Sequence, residues 1–168
     1  MKEPMSEEKR EALLMSEDDI LSGMLAAANF KTDESYRKTI HIVRPVEVVD
    51  EATGEKKTEK KTMFQFTIRP LDAAEVQQVA KDATKKDGEG NNVFDSARNK
   101  SGLIYTATVG EKGKKLWDNK TIKSKLNTLD ALDVINEVLL VGEKETIYEI
   151  ISEISGFSDN REEMLKNS

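Results

Sequence analysis

The chain has 168 residues, of which 37% are hydrophobic and 35% are charged, and its net charge at pH 7 is −6. A chain of this length can bury a hydrophobic core in one domain, and the high charge predicts solvated arms at its ends. The acidity argues against general nucleic-acid binding, and the lack of cysteine excludes disulfides and thiolate zinc sites. No apolar run approaches the roughly 20 residues of a membrane span, so we expect a soluble intracellular protein that binds neither nucleic acid nor membrane.

The N-terminal part predicts an arm followed by a short helix. Residues 1–15 are predicted to be a disordered acidic arm, and the helix starts after Ser16, a capping residue followed by three acids. The apolar residues of this helix share one face: Ile20, Leu21, Met24, Leu25 and Ala28. We expect this face to pack onto the chain's own domain, and packing onto a partner is the alternative.

From Tyr36 the apolar residues alternate with a period of two, which predicts an antiparallel β-hairpin over about residues 36–69. The residues that share a parity are Ile40, Ile42, Val46 and Val48 in the first strand, and Phe64, Phe66 and Ile68 in the second. The link from Asp50 to Lys61 contains the run EKKTEKK and is predicted to be a solvated tip. Pro45 cannot donate to a strand ladder, so the first strand is expected at an edge or broken by a bulge.

Two helices are predicted after the hairpin. Asp72 and Glu75 have the spacing of a capping box, and the helix that they start is expected to end near Lys85. Asn91 and Asn92 are candidate caps for the next helix. Its predicted inner face consists of Phe94, Ala97, Ser101, Ile104 and Thr108. Trp117, the only tryptophan, is predicted to anchor the core.

Residues 129–157 have the strongest helical periodicity in the chain and predict a helical hairpin. The apolar stripe of its first helix is Leu132, Ile135 and Leu139, and that of its second is Ile147, Ile150, Ile151 and Ile154. Gly142 and Gly156 are each predicted to close a helix in the left-handed conformation.

These elements together predict an α+β fold, in which an N-terminal two-stranded antiparallel β-hairpin packs with a mainly α-helical C-terminal part that ends in a helical hairpin. One domain is expected over residues 16–157, with the hairpin at about 36–69 and the helical part at about 72–157. Residues 158–168 are predicted to be a flexible tail.

The sequence contains no pattern typical of an enzyme or of a metal site. His41 is the only histidine, and a lone histidine without cysteine completes neither a metal site nor a nucleophilic site. The segment GEKGKK at 110–115 lacks the glycine spacing and the hydroxyl residue of a phosphate-binding loop. We therefore predict no catalytic residues, no metal and no cofactor.

Three stretches resemble a known family in content and in order: FTIRPLDAAEV, FDSARNKSGLIYTAT and LDALDVINEVLLVGEKETIYEIISEISGF. They are similar to the XkdN-like tail assembly chaperones of long-tailed phages and prophages. The positions that carry the resemblance are Phe94, Ile104, Tyr105, Ala107, Leu139, Leu140, Gly142, Glu143, Ser155, Gly156 and Phe157. Val141 stands where the family often has proline, and WDNKTIKSK replaces a Lys-Tyr-Gly segment, so we expect divergence in that connection.

The resemblance implies a non-enzymatic chaperone that binds the tape-measure protein and keeps it soluble until the tail tube polymerises around it. Such a protein acts in the host bacterial cytoplasm and is not expected in the finished particle. The tail tube protein and a second copy of the chain are further candidate partners. The residues assigned to partner binding are Leu139, Leu140, Ile147, Ile150, Ile151, Ile154 and Phe157.

Two other functions stay open at this point. A structural tail component, such as a tube-terminating or baseplate-adaptor protein, would use the β-hairpin to extend a neighbouring sheet. A small nucleic-acid-binding regulator would need the lysines of EKKTEKK to outweigh the acidity of the whole chain.

Overall fold

A computed structural model describes residues 16–157 of the chain. Its helices are α1 (Glu17–Ala28), α2 (Ala73–Asp82), α3 (Ser96–Ala107), α4 (Lys120–Lys125), α5 (Ala131–Val138) and α6 (Val141–Ile154). Its strands are β1 (Lys38–Val49), β2 (Lys56–Ile68), β3 (Thr84–Lys86) and β4 (Asn92–Phe94). The predicted α+β fold is confirmed, whereas the predicted arm at 1–15 and tail at 158–168 lie outside the described residues.

Strands β1 and β2 form a long antiparallel hairpin, but its turn is much shorter than predicted. The turn spans only residues 50–55, where Gly54 has a φ of +70° and the Asp50 N–H donates to the Glu55 carbonyl at 2.9 Å. The predicted link was wrong for residues 56–61, because they pair with β1 as part of β2. The lysines of residues 56–61 are exposed, as predicted, but these lysines lie on a strand and not in a loop. Long lysine side chains are compatible with an exposed strand, so charge alone did not mark a loop.

The predicted irregularity near Pro45 is present as a bulge. The register shifts between Ile42 and Val43, because Ile42 pairs with Phe64 whereas Val43 pairs with Thr62, which leaves Met63 as the extra residue. The bulge separates two parts of the hairpin with different environments. On the side of Lys38 and Ile68 the inner face is buried, and beyond Pro45 most residues are exposed.

A second, short hairpin replaces one predicted helix start. Strand β4 pairs with β3 with Thr84 opposite Phe94, so the prediction that Asn91 and Asn92 cap a helix was wrong. Asp95 is the cap instead, since its carboxylate accepts the Arg98 N–H at 3.0 Å. Phe94 is therefore 52% exposed on a strand and does not belong to the inner face of α3.

The capping box predicted at the start of α2 is confirmed in both directions. The Glu75 N–H donates to the Asp72 carboxylate at 2.8 Å, and the Asp72 N–H donates to the Glu75 carboxylate at 3.2 Å. Glu75 also binds the guanidinium of Arg69 at 2.6 Å. The Glu75 carboxylate thus binds both Arg69, which follows β2, and Asp72, which caps α2, and it stabilises the turn between the two elements.

The core lies between the inner face of the β1–β2 hairpin and helices α2, α3, α5 and α6, with Trp117 at its centre. Trp117 is 1% exposed, and its ring meets that of Phe66 nearly edge-on, at 5.2 Å between centroids and an interplanar angle of 76°. Its indole N–H donates to the buried hydroxyl of Thr108 at 2.9 Å. The predicted core role of Trp117 is confirmed, and its one polar atom is satisfied.

Helices α2 and α3 approach closely at a glycine. A Cβ built on Gly102 would lie 2.7 Å from Cγ1 of Val79. The neighbouring Ser101 is fully buried, and its hydroxyl lies 2.8 Å from the side-chain oxygen of Asn136. The small residues of α3 therefore set how near its neighbours can pack.

The C-terminal helical hairpin is confirmed, but only one of its two predicted glycine ends is correct. At Gly156, φ is +86°, and the N–H groups of Gly156 and Phe157 donate back to the carbonyls of Glu153 and Ser152 at 3.1 and 2.8 Å. This pattern is a Schellman ending. Gly142 does not end a helix, because it lies in the first turn of α6 and its φ is not positive.

The first turn of α6 is instead organised by Glu143. Its carboxylate accepts the Leu140 N–H at 2.8 Å and the Arg44 guanidinium of β1 at 2.7 Å. Arg44 also donates to the carbonyl of Val138 at the end of α5. One side chain from the hairpin thereby holds the end of one helix and the start of the next.

We predict that Gly102→Ala destabilises the domain although alanine is the better helix former. Val79 is β-branched and stiff within its helix, so the added methyl forces α2 and α3 apart, at a cost of about 1 to 3 kcal/mol in the free energy of unfolding. Urea unfolding measures this. Gly23→Ala is the matched control, because nothing lies within 4 Å of its Cβ position. Adding Val79→Ala to Gly102→Ala should restore part of the loss, and an unchanged midpoint for Gly102→Ala would contradict the close approach.

The Arg44–Glu143 pair predicts a pH dependence of stability. The hydrogen bond from Arg44 holds the pKa of the Glu143 carboxyl below its ordinary value, so the unfolded chain takes up a proton at this position before the folded chain does. The stability that Glu143 contributes is therefore complete above its unfolded pKa of about 4.3 and is lost as the pH falls through the lowered folded pKa.

Urea unfolding of the wild type and Glu143→Gln between pH 3 and 7 checks this prediction. The wild type should be more stable at neutral pH, and the difference should shrink below about pH 4.3. Glu149→Gln is the control on the same helix, since Glu149 is exposed. A difference that is constant with pH would show that Glu143 acts by packing alone.

Candidate partner-binding surface

The residues that the sequence assigned to partner binding lie in three different environments. Leu139, Ile147 and Ile151 are buried, with exposures of 4%, 2% and 3%, and they belong to the core cluster around Trp117. They cannot touch a partner while the domain is folded, so the assignment of these three residues to partner binding was wrong. Helical periodicity identified the face that the domain buries, because burial of large aliphatic side chains is what stabilises a small domain.

The other four assigned residues lie at or near the surface of α6. Ile150 and Ile154 are half-buried against the core, whereas Leu140 and Phe157 are 58% and 63% exposed. Leu140 precedes α6 and Phe157 follows it, so a helix of about 21 Å separates them. The structure therefore does not bring them into one patch, and their contact with a partner stays a prediction.

Helix α1 carries an uncovered apolar stripe. Ile20, Leu21, Met24 and Leu25 are 46%, 51%, 63% and 67% exposed, and no residue of this helix is buried. The prediction that this stripe packs onto the chain's own domain was wrong. Other exposed large apolar residues in residues 16–157 are spread over several elements, for example Val49 on β1, Val93 on β4, Ile122 on α4 and Leu140 before α6. The surface formed by the four α1 side chains is called the α1 face below.

The C-terminal end of α1 and the segment that follows it connect the helix to the domain. Two short 3-10 turns, Phe30–Thr32 and Glu34–Tyr36, lead from α1 to β1, and the ring of Phe30 stacks on that of Tyr36 at 3.7 Å between centroids. The last turn of α1 and Phe30 lie beside the C-terminal end of α6. The first turns of α1, which carry the α1 face, remain exposed to solvent.

Two clefts flank this attachment. One has a volume of about 450 Å³, and its wall includes Ala27, Phe30, Ile154 and Gly156. The other has a volume of about 240 Å³ and lies between Ala28, Leu71 and Ile154. Ile154 lines both clefts, so the half-buried end of the α6 stripe lies close to Ala27 and Ala28, the last residues of α1.

The charge of α1 is entirely negative. Its first turn carries Glu17, Asp18 and Asp19, and the helix contains no basic residue. The Ser16 hydroxyl caps the helix by accepting the Asp19 N–H at 3.2 Å. Glu17 precedes Leu21 and Met24 by four and seven residues, so this carboxylate lies at the end of the α1 face. A partner on this face would meet apolar side chains and negative charge together.

A third cavity, of about 690 Å³, lies between α2, α3 and the segment before α5. Its polar side chains bind one another: the Tyr105 hydroxyl donates to Asp118 at 2.9 Å, and Arg98 pairs with Asp130 at 3.1 Å. Burial, followed by the hydrogen bond to Asp118, raises the pKa of Tyr105. These interactions describe a structural network, and its residues do not form an arrangement of nucleophile and base.

In residues 16–157, no group of three or more His, Cys, Asp or Glu side chains could hold a metal ion. No helix in the same part of the chain is long and apolar enough to cross a membrane. His41, the only histidine, is exposed on β1.

Comparisons with known proteins give one informative match. No curated protein matches the chain significantly. A crystal structure of the protein YqbN is similar over 69% of this chain and 87% of that chain, with 21% identical residues and a TM-score of 0.40. The family model of the phage XkdN-like tail assembly chaperone proteins matches residues 43–167, which is most of the chain. The chain therefore belongs to the XkdN-like family of phage tail assembly chaperones.

Proposed function

We propose that this protein binds the tape-measure protein of its phage or prophage and keeps it soluble until the tail tube polymerises around it. The observation that supports this proposal best is the uncovered α1 face in a member of a tail assembly chaperone family. The protein acts in the bacterial cytoplasm as a binding protein, without catalysis, and is absent from the finished particle.

The physical task is to cover apolar surface for a limited time. A long helical polypeptide with apolar stripes aggregates unless the stripes are covered, because contiguous exposed apolar surface drives association. An acidic protein that lays an amphipathic helix on such a stripe replaces apolar surface with charge. The net charge of −6 on each bound copy then adds repulsion between complexes. Binding alone achieves this result, so no nucleotide is required.

A structural role in the tail is the second candidate, and the β1–β2 hairpin favours it. Strands β1 and β2 pair only with each other in this sheet, so the outer edge of β1 could accept another strand, whereas the Ile68 end of β2 is already bridged to Thr108. Pro45 and the exposed lysines of β2 oppose this role, since both features protect sheet edges from pairing. Mass spectrometry of purified particles distinguishes the candidates, because a structural component remains in the particle.

The proposal predicts that coexpression with the tape-measure protein of the same locus increases the soluble fraction of that protein. A pull-down from the soluble fraction should recover the complex. The tape-measure protein expressed without the chaperone is the reference for solubility. If the wild-type chain neither binds nor solubilises it, the proposed function is refuted.

A set of variants separates folding from binding on the C-terminal arm. Ile147→Asp places an unpaired charge in the core and should unfold the domain, at a cost of several kcal/mol. Leu140→Asp and Phe157→Asp change exposed side chains and should leave the thermal midpoint within a few degrees of the wild type. If these two residues contact the tape-measure protein, each variant should bind it less tightly while remaining folded. Circular dichroism and pull-down measure the two properties, and wild-type binding by both variants would remove this arm from the site.

A further inference from the structure

We infer that the α1 face is the docking surface of this protein, and that its occupant is a helical segment of the partner whose apolar stripe is bordered by Lys and Arg. This inference rests on the proposed function and adds to it the location of the contact and the chemistry of the partner segment.

The first step is that the α1 face has no role in folding the domain. Its four large side chains are 46% to 67% exposed, and α1 contains no buried residue. An isolated helix of 12 residues is marginal in water, and Gly23 in its middle weakens it further. A partner that covers the α1 face would supply the packing that normally stabilises an amphipathic helix.

The second step is the shape of the occupant. The large α1 side chains lie at positions i, i+1, i+4 and i+5, so they form a stripe that can pack side by side with another helix. The larger cleft begins at Ala27, three residues after Met24, and extends past Phe30 to Ile154 and Gly156 at the end of α6. A partner helix longer than α1 could therefore follow the α1 face and extend across the cleft.

The third step is the charge of the occupant. Glu17 is aligned with Leu21 and Met24, and Asp18 precedes Leu25 by seven residues, so two carboxylates border one end of the stripe. The helix contains no basic residue to neutralise them. Lys or Arg beside the partner's stripe would gain favourable interactions there, whereas Asp or Glu would be repelled.

The size of the α1 face decides between this occupant and a second copy of the chain. A 12-residue helix is about 18 Å long and about 10 Å wide, which gives a footprint on the order of 200 Å². A stable interface buries about 800 Å² on each partner. The α1 face of one copy is thus too small to hold a dimer by itself, and a parallel pair of such helices would also bring their acidic residues together. An elongated partner instead offers many sites, where copies bind weakly one after another.

The family match supports a specific role for α1. The matched region begins at Val43, so α1 lies outside the part of the chain that the family model describes. The matched region includes α2 to α6 and with them most of the core. An element outside the shared domain with an uncovered apolar face is suited to recognising the partner of this particular protein.

Two synthetic peptides test the inference with the full chain. Both carry the same leucine stripe at helical spacing, and the stripe is bordered by Lys in one and by Glu in the other. Isothermal titration should show that the chain binds the Lys peptide at least tenfold more tightly. Raising the salt from 50 to 500 mM should weaken that binding several-fold, because salt screens exposed charges.

A double variant locates the contact on the α1 face. Leu21→Gln with Leu25→Gln keeps good helix formers on α1 and removes two apolar side chains, so binding of the Lys peptide should fall at least tenfold with an unchanged thermal midpoint. Val48→Gln with Val49→Gln is the matched control, since these valines are 39% and 53% exposed on the hairpin. The control should bind like the wild type.

Three results would overturn the inference. Equal affinity for the Lys and Glu peptides would remove the charge argument, and wild-type binding by the Leu21 and Leu25 variant would place the contact elsewhere. If sedimentation shows a wild-type dimer that this variant converts to a monomer, the occupant is a second copy. Coexpression separates the inference from the proposed function: a wild type that does not solubilise the tape-measure protein refutes the function, whereas a double variant that solubilises it fully refutes only the α1 face.

Discussion

The fold depends on covering one side of a two-stranded sheet. A two-stranded hairpin is at best marginally stable in water, and Trp117 provides the cover by placing its indole against Phe66 and hydrogen bonding to Thr108. Thr108 ends α3, so this contact joins strand, helix and connecting loop at one buried position. The other helices complete the same core, and Arg44 extends the connection from β1 to the junction of α5 and α6.

Much of this architecture is predictable from the sequence, since local rules and burial favour the same structure. The capping box at Asp72, the core role of Trp117 and the end at Gly156 each follow from residue types whose physical preference is strong. The errors occur where pairing with another strand determines the secondary structure. Residues 56–61 are strand because β1 pairs with them, and residues 92–94 are strand because β3 does. Neither pairing leaves a local signal in a charged or asparagine-containing segment.

The candidate site shows a different limit of sequence patterns. The same helical period occurs in α1 and in α6, and it predicts a buried apolar face for both helices. In α6 that face is the core, with Ile147 and Ile151 buried, whereas in α1 it is uncovered. Periodicity shows that a helix has an apolar face, but it does not show whether the surface that covers this face belongs to the same chain or to another protein. Neither glycine nor acidic residues distinguish the two helices, because α6 also contains Gly142 and four glutamates.

The uncovered state of α1 also affects how this protein can evolve. Replacing a residue such as Ile147 is restricted by folding, since its side chain is enclosed on all sides. Replacing Leu21 or Met24 removes little packing from the domain, so folding restricts these positions much less. This short segment can therefore change in sequence while the buried scaffold of the domain is kept.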